Sequence, residues 1–393
     1  MIKSNRIESI DVLRGVVMIL MCLDHTRDYF HDLDAAGDPM NLETTTPMLF
    51  FTRYITHFCA PIFVFLSGTS AFLQSQRKTK KELSLFLLSR GVWLIFLEIF
   101  LNNFLWQFDI TYGGIIMQVI WAIGASMVVM AGLIFLHRHL LLIIGLLIVF
   151  GHNLLDNITV KGNEISDLLW MLFHQPGGFQ LSEERWMYIG YPMLPWLGIM
   201  ILGYCAGQFY INGFKADVRK KLLLTIGISS LGLFVILRYF NLYGDPRFNY
   251  EIQDSVFKNI AAFIQITKYP PSLHYVLVTI GIASILLAII ENSKNKITNF
   301  LLVFGRVPLM FYFAHITVIH LLSMFLMPLM DKPWYSAIWS NENQEKGLTG
   351  YLGLDLWGVY LFWVLIIALL YFPCRKYMQY KTKNKDKKWL SYL

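Results

Sequence analysis

The chain has 393 residues, 56% of them hydrophobic and only 15% charged, where a soluble domain carries about 25% charged residues. Its net charge of +7 sits in short Lys/Arg clusters between long apolar runs, the pattern of topology signals and not of a nucleic-acid surface. These properties exclude a soluble fold and describe an all-α polytopic membrane protein, one domain over 1–393 with neither linker nor internal repeat.

Ten transmembrane helices follow in chain order, at 10–30, 52–74, 84–106, 114–136, 139–152, 190–209, 222–240, 272–291, 299–328 and 353–374. The first is long and charged and lacks a small-residue cleavage site, so no detachable leader is expected. The fifth falls short of the usual ~20 residues and must borrow from its flanks. Segments 165–174 and 256–267 read as amphipathic pieces lying at the interface. Basic residues mark every second loop: Lys3 and Arg6, then Arg77 to Lys81, His137 and Arg138, Lys215 to Lys221, Lys294 and Lys296, and the tail from Arg375. That parity places the N- and C-termini in the cytoplasm; the expected location is a bacterial-type inner membrane. The outer loops, 31–51, 153–189, 241–271 and 329–352, are long enough to be binding loops. HQPGGF within the second of them is a turn signal. Cys22, Cys59, Cys205 and Cys374 have no CxxC spacing and read as free hydrophobes, not as a disulfide framework or a zinc site.

The first span, IDVLRGVVMILMCLDHTRDYF, carries Asp11, Arg14, His25 and Asp28 within roughly a 100° arc of one helix face. Ionisable residues inside a span are costly, so the default reading of such a stripe is functional. Asp11 and His25 stand about 21 Å apart along a helix rising roughly 1.5 Å per residue, so one stripe connects two depths of a bilayer.

RIESIDVLRGVVMILMCLDHTRDYF resembles the start of the heparan-α-glucosaminide N-acetyltransferase-like family of membrane acetyltransferases. THFCAPIFVFLSGTSAF is similar to that family's second span, SRGVWLIFLEIF to its third, and GRVPLMFYFAHITVIHLL to a late span ending in histidine. The resemblance implies transfer of an acetyl group from cytoplasmic acetyl-CoA to a sugar acceptor, classically a glucosamine amine, and a homodimer. The lysosomal branch has asparagine where His25 aligns, and its proposed catalytic histidine lies further on. His31 is the nearest residue here for that second role, and the choice between the two stays open.

For such a reaction His25 is the first candidate for general base, because an imidazole with pKa near 6.5 accepts an amine proton at neutral pH. Asp24 or Asp28 would orient its ring, and Asp28 also faces the acceptor side. His57, at a comparable depth on the second span, is a second catalytic candidate. Arg14, Arg90 and Arg306 are candidate phosphate contacts for CoA, because guanidinium groups match phosphate oxygens bidentately. Asp11 either lines that donor site or simply pairs with Arg14 at i, i+3. Glu98, in mid-span, is expected to pair with a cation such as Arg306. Asn103, with Asn102, is a candidate for an acceptor pocket, whereas Trp106 reads as part of the interfacial aromatic belt. On the ninth span Pro308 is expected to kink or break the helix, and Tyr312 and His315 share a face as substrate-binding candidates. His320 lies about 140° around from His315, so the two lack HExxH-like geometry and no metal is expected. No Walker loop, dinucleotide fingerprint or GxSxG elbow occurs. Competing readings are an O-acyltransferase acting on an envelope sugar hydroxyl and a secondary transporter for a sugar-like solute. The transporter reading lacks the paired interrupted helices of two matching halves.

Overall fold

A computed structural model describes residues 7–32, 37–245, 247–384 and 386–392. Lys3, Arg6 and Asp34 lie outside the described residues. Helix α1 spans Glu8–Phe30, α2 Pro47–Thr56, α3 Cys59–Ser75 and α4 Lys80–Phe96. A π-helical turn, Leu97–Asn102, runs on from α4 into α5, Asn103–Gln107. Then come α6 (Val119–Leu133), α7 (Arg138–Gly151), α8 (Ile165–Phe173), α9 (Met193–Ala206), α10 (Ala216–Tyr239), α11 (Val256–Ile264) and α12 (Leu273–Ile290). The last are α13 (Lys296–Gly305), α14 (Pro308–Leu326), α15 (Asn341–Glu345) and α16 (Leu356–Lys383).

Among the described residues, seven helical stretches are long and apolar enough to cross a bilayer: Pro47–Ser75, Lys80–Gln107, Arg138–Leu155, Ala216–Tyr239, Leu273–Ile290, Pro308–Met330 and Leu356–Lys383. Helix α1 has 23 residues. Its Glu8, Asp11, Arg14, Asp24, Arg27 and Asp28 keep it out of that apolar set.

One departure from the all-α expectation matters. Residues 114–117 do not begin a helix; they form β1, Gly114–Met117, in a three-stranded sheet. There β1 pairs parallel with β3 (Arg185–Ile189), which pairs antiparallel with β2 (Gly177–Ser182). A short apolar run does not by itself distinguish a strand from a helix start, and here the glycine pairs of both β1 and β2 favour the strand. The HQPGGF turn accordingly leads straight into β2. The 299–328 run is broken, as Pro308 leads one to expect, into α13 and α14, with Pro308 at the first position of the second, where its missing N–H costs nothing.

Helix α1 lies at the centre and packs against α2, α3, α12, α13, α14 and α16. Its approach to α13 is backbone to backbone. A Cβ at Gly15 would overlap the Leu301 carbonyl, and one at Gly305 would overlap the Asp11 carbonyl. Only glycine at both positions allows this crossing.

The predicted second span is interrupted at His57, between α2 and α3. Pro61 has no N–H to give to the His57 carbonyl one turn earlier. Tyr275 of α12 supplies the missing donor, its hydroxyl lying 2.6 Å from that oxygen in a buried setting. Tyr275→Phe therefore strands a buried carbonyl, and a loss of about 1–3 kcal/mol in stability is expected. A lowered unfolding temperature in detergent, with no such change for exposed Leu365→Ala on α16, is the outcome that checks it.

Candidate active site

In the C-terminal half of α1, His25 meets His315 of α14. His25 Nδ1 lies 2.8 Å from His315 Nε2, and the rings are nearly parallel. His315 Nδ1 lies 2.9 Å from the Phe311 carbonyl oxygen, one turn back on its own helix. A carbonyl only accepts, so His315 Nδ1 carries the proton and its neutral Nε2 is an acceptor. His25 then donates through Nδ1 and keeps an unprotonated Nε2. This tautomer is assigned from the hydrogen-bond network. The ring is therefore oriented by His315 and the Phe311 carbonyl, not by Asp24 or Asp28.

Beside His25 stand aromatic rings that carry poorly satisfied polar groups. The Trp106 ring lies edge-on at 4.7 Å between centroids and the Tyr312 ring at 6.2 Å, nearly perpendicular. The Tyr312 hydroxyl lies towards Trp106 Nε1 and Asn102 Oδ1, but none of the three buried atoms makes a well-formed hydrogen bond. Poorly satisfied buried polar groups are costly, so this trio, reaching the imidazole through Trp106 and Tyr312, suits a polar ligand. Trp106 is thus not a belt residue; it is buried against the histidine.

Asp24 faces away from the imidazole into an ion-pair cluster. Arg53 Nη1 lies 2.7 and 2.6 Å from its two oxygens, and Arg27 Nη2 lies 3.0 Å away. Asp28 takes the same Arg27 nitrogen at 2.7 Å and stays partly exposed. Lys268 is buried and its ammonium lies over the Tyr269 ring. His57 gives its Nδ1 proton to the Arg53 carbonyl at 3.0 Å and packs between Tyr54 and Tyr275. His31 donates to the Leu354 carbonyl at 2.8 Å, where the end of α1 pairs with the segment leading into α16.

The N-terminal half of α1 carries a second cluster. Arg14 binds Asp11 at 2.9 Å, the Ser70 hydroxyl at 3.1 Å and the Gly305 carbonyl at 3.2 Å. Arg306 reaches Glu8 at 3.2 Å and Asp11 at 3.6 Å. Arg90 of α4 stands within electrostatic reach of Arg14. Three arginines, on α1, on α4 and just after α13, thus gather at one end of the bundle.

The structure corrects the expected Glu98–Arg306 pair. Glu98, fully buried in the π turn, accepts from Asn102 Nδ2 at 2.7 Å and from the Trp121 amide at 2.8 Å. That amide belongs to the first turn of α6, whose positive dipole end suits a carboxylate. Asn103 spends its amide on β1, accepting from the Ile116 N–H at 2.7 Å and donating to the Ile116 and Glu98 carbonyls. It braces the sheet rather than facing His25. His320 sits between the carbonyls of Leu105 and Ala337 at 2.9 and 3.0 Å and stacks on Phe108.

A groove of about 700 Å³ beside α1 is lined mainly by apolar residues, among them Leu23, Phe51 and Trp363. Leu23 lies about 160° around the helix from His25, so this groove is separate from the histidine pair.

Sequence reasoning did not single out Arg53 or Lys268, and it set Trp106 aside. Arg53 falls at the outer edge of the 52–74 run and Lys268 just before the 272–291 run, where cations are ordinary, and nothing in spacing brings them to α1. The π turn that redirects Asn102 and Trp106 was equally silent, although such turns are frequent at functional sites.

Residues 6–239 match the model of the heparan-alpha-glucosaminide N-acetyltransferase catalytic domain, more than half of the chain. The match takes in α1 with His25, the α2–α3 break and the π turn, and it ends before α14 and His315. A comparison with curated proteins finds no match. The histidine-bearing charged first helix and the matched span agree: the chain belongs to the heparan-alpha-glucosaminide N-acetyltransferase catalytic family, a family of acetyltransferases.

Proposed function

We propose that the chain is an acetyl-CoA-dependent N-acetyltransferase of a bacterial-type inner membrane, with ten spans, both termini cytoplasmic and an amino sugar as acceptor. The observation that carries this reading is the His25–His315 pair, with a free Nε2 on His25 beside poorly satisfied donors on Trp106 and Tyr312. In the reaction His25 Nε2 takes the proton from the amine as its nitrogen bonds to the thioester carbon. The carbonyl π pair moves onto oxygen, which Trp106 Nε1–H and the Tyr312 hydroxyl stabilise. Collapse breaks the C–S bond, and the imidazolium returns its proton to the departing CoA sulfur. His315 holds the His25 ring in the productive tautomer and shares the charge through Nδ1. Asn102 Oδ1, aimed by the bond its amide makes to Glu98, offers the incoming amine an acceptor.

The arginine cluster at the other end suits the phosphates of CoA. Arg14 and His25 are about 16 Å apart along α1 at roughly 1.5 Å per residue, a span that the extended pantetheine arm of CoA matches. Asp11 sets the Arg14 guanidinium, and Arg306 completes the cationic rim. Asp24, Arg53 and Lys268 give the acceptor side a polar wall.

Three outcomes test the reading, each measured as CoA release from labelled acetyl-CoA with glucosamine in detergent. His25→Ala loses about 10²–10⁴-fold in kcat, and His315→Gln, which keeps an acceptor, falls less than His315→Ala. Trp106→Phe and Tyr312→Phe lower kcat, together by up to about 10²–10³-fold, with KM little changed. Arg14→Ala and Arg90→Ala raise the KM for acetyl-CoA and spare kcat. Wild-type turnover in folded His25→Ala contradicts the mechanism. Transfer to sugar hydroxyls but not amines moves the assignment to O-acetylation, and solute counterflow in liposomes without any transfer moves it to a carrier.

A further inference from the structure

Away from the histidine pair, a second group of ionisable side chains is drawn together at the end of α7. His152 opens a 3₁₀ turn, His152–Leu155, that caps α7, and Asp156 follows it. The two are four residues apart, and the turn brings their side chains together. His174, directly after α8, closes the group from a segment 18 residues further on. One ligand atom from each of the three lies within 4.8 Å of the other two. Both histidines are 2% exposed.

Hydrogen bonding accounts for only part of this group. His174 Nε2 lies 3.0 Å from Asp156 Oδ1. His174 Nδ1 has no hydrogen-bond partner, and His152 makes no well-formed hydrogen bond, only an approach to the Pro271 backbone. A buried imidazole so poorly satisfied is costly, and it stands beside a carboxylate–histidine pair. Asn153 holds Asp156 from behind: its amide donates to Oδ2 at 2.8 Å, while its own oxygen accepts from the Leu273 amide of α12 at 2.9 Å. Burial raises the cost of the Asp156 charge, but the bonds from His174 and Asn153 outweigh it and hold the carboxyl below its ordinary range.

We propose that His152, Asp156 and His174 bind one first-row divalent transition metal of the zinc class, with water as the fourth ligand. Two imidazoles and a carboxylate are the donor set such ions prefer over hard cations. Zn–N and Zn–O bonds of roughly 2.0–2.2 Å put ligand atoms roughly 3–4 Å apart. The His174–Asp156 separation is already in that range, and the third ligand needs only a small closing movement. On binding, the His174 proton moves from Nε2 to the idle Nδ1, so the ring stays neutral and no oxidant or base is consumed. Water reaches the fourth position past Asp156, whose side chain is 17% exposed. Asn153 is the outer partner that orients the carboxylate, as metal sites commonly require. The ion ties the end of α7 to the end of α8, and through Asn153 to the start of α12.

The test needs no acetyltransferase activity. Tag-free full-length protein in detergent is stripped with a chelator, titrated with ZnCl₂ or CoCl₂, desalted and assayed for metal by atomic emission. The expected result is one ion per chain, a raised unfolding temperature and a visible four-coordinate cobalt band. Asp156→Asn, which keeps the shape but loses the charge and one acceptor oxygen, and His174→Gln weaken retention by about 10–100-fold or more. The double variant His152→Ala/His174→Ala retains none, whereas His25→Ala retains the ion. A wild-type protein that stays metal-free after titration overturns the proposal, and so does equal affinity in wild type and Asp156→Asn, a comparison that stands even if the double variant fails to fold.

Discussion

Every ionisable group carried into this bundle must find a partner, because the surrounding apolar phase offers none. The hydrogen bond from His25 to His315 is the place where that constraint becomes chemistry. The Phe311 carbonyl fixes the His315 tautomer, which fixes that of His25, which leaves one basic nitrogen without a partner. Elsewhere on α1 the constraint is met by ion pairs that close on themselves: Asp24 with Arg53 and Arg27, Asp11 with Arg14 and Arg306. Around His25, by contrast, Trp106, Tyr312 and Asn102 keep buried donors and acceptors without well-formed hydrogen bonds.

That contrast depends on how α1 is held. Gly15 and Gly305 let its backbone touch that of α13, and the break after Gly305 lets α14 restart at Pro308 in a new direction. His315 is thereby delivered to the face of α1 where His25 stands, one ring against the other. The π turn does the same for α4, giving Glu98 to the first turn of α6 and bringing Asn102 and Trp106 towards the histidines. Two local interruptions of regular helix, each traceable to a residue that will not continue the regular pattern or to an extra residue in a turn, shape the site.

Much of the helical layout was legible, because an apolar run of about 20 residues has few alternatives. The charged stripe on α1 was legible too, since helical periodicity relates residues on one element. What periodicity does not carry is the relation between elements. His25 and His315 stand 290 residues apart, and no spacing announces that one orients the other. For the same reason Asp24 was given to the imidazole when its partner was Arg53, and Glu98 was given to Arg306 when a helix terminus took it. The strand at 114–117 was lost to an apolar run that reads either way. His152, Asp156 and His174 drew no notice because two lie four residues apart and the third arrives only when α8 folds back.

The most direct measurement is a density map of the protein with a non-hydrolysable acetyl-CoA analogue bound. The account predicts the acyl carbonyl oxygen within about 3 Å of Trp106 Nε1 or the Tyr312 hydroxyl, the acyl carbon facing His25 Nε2, and the nucleotide phosphates against Arg14 and Arg90. An acyl group resting at His31 or His57, or a nucleotide at the opposite end of the bundle, would contradict it.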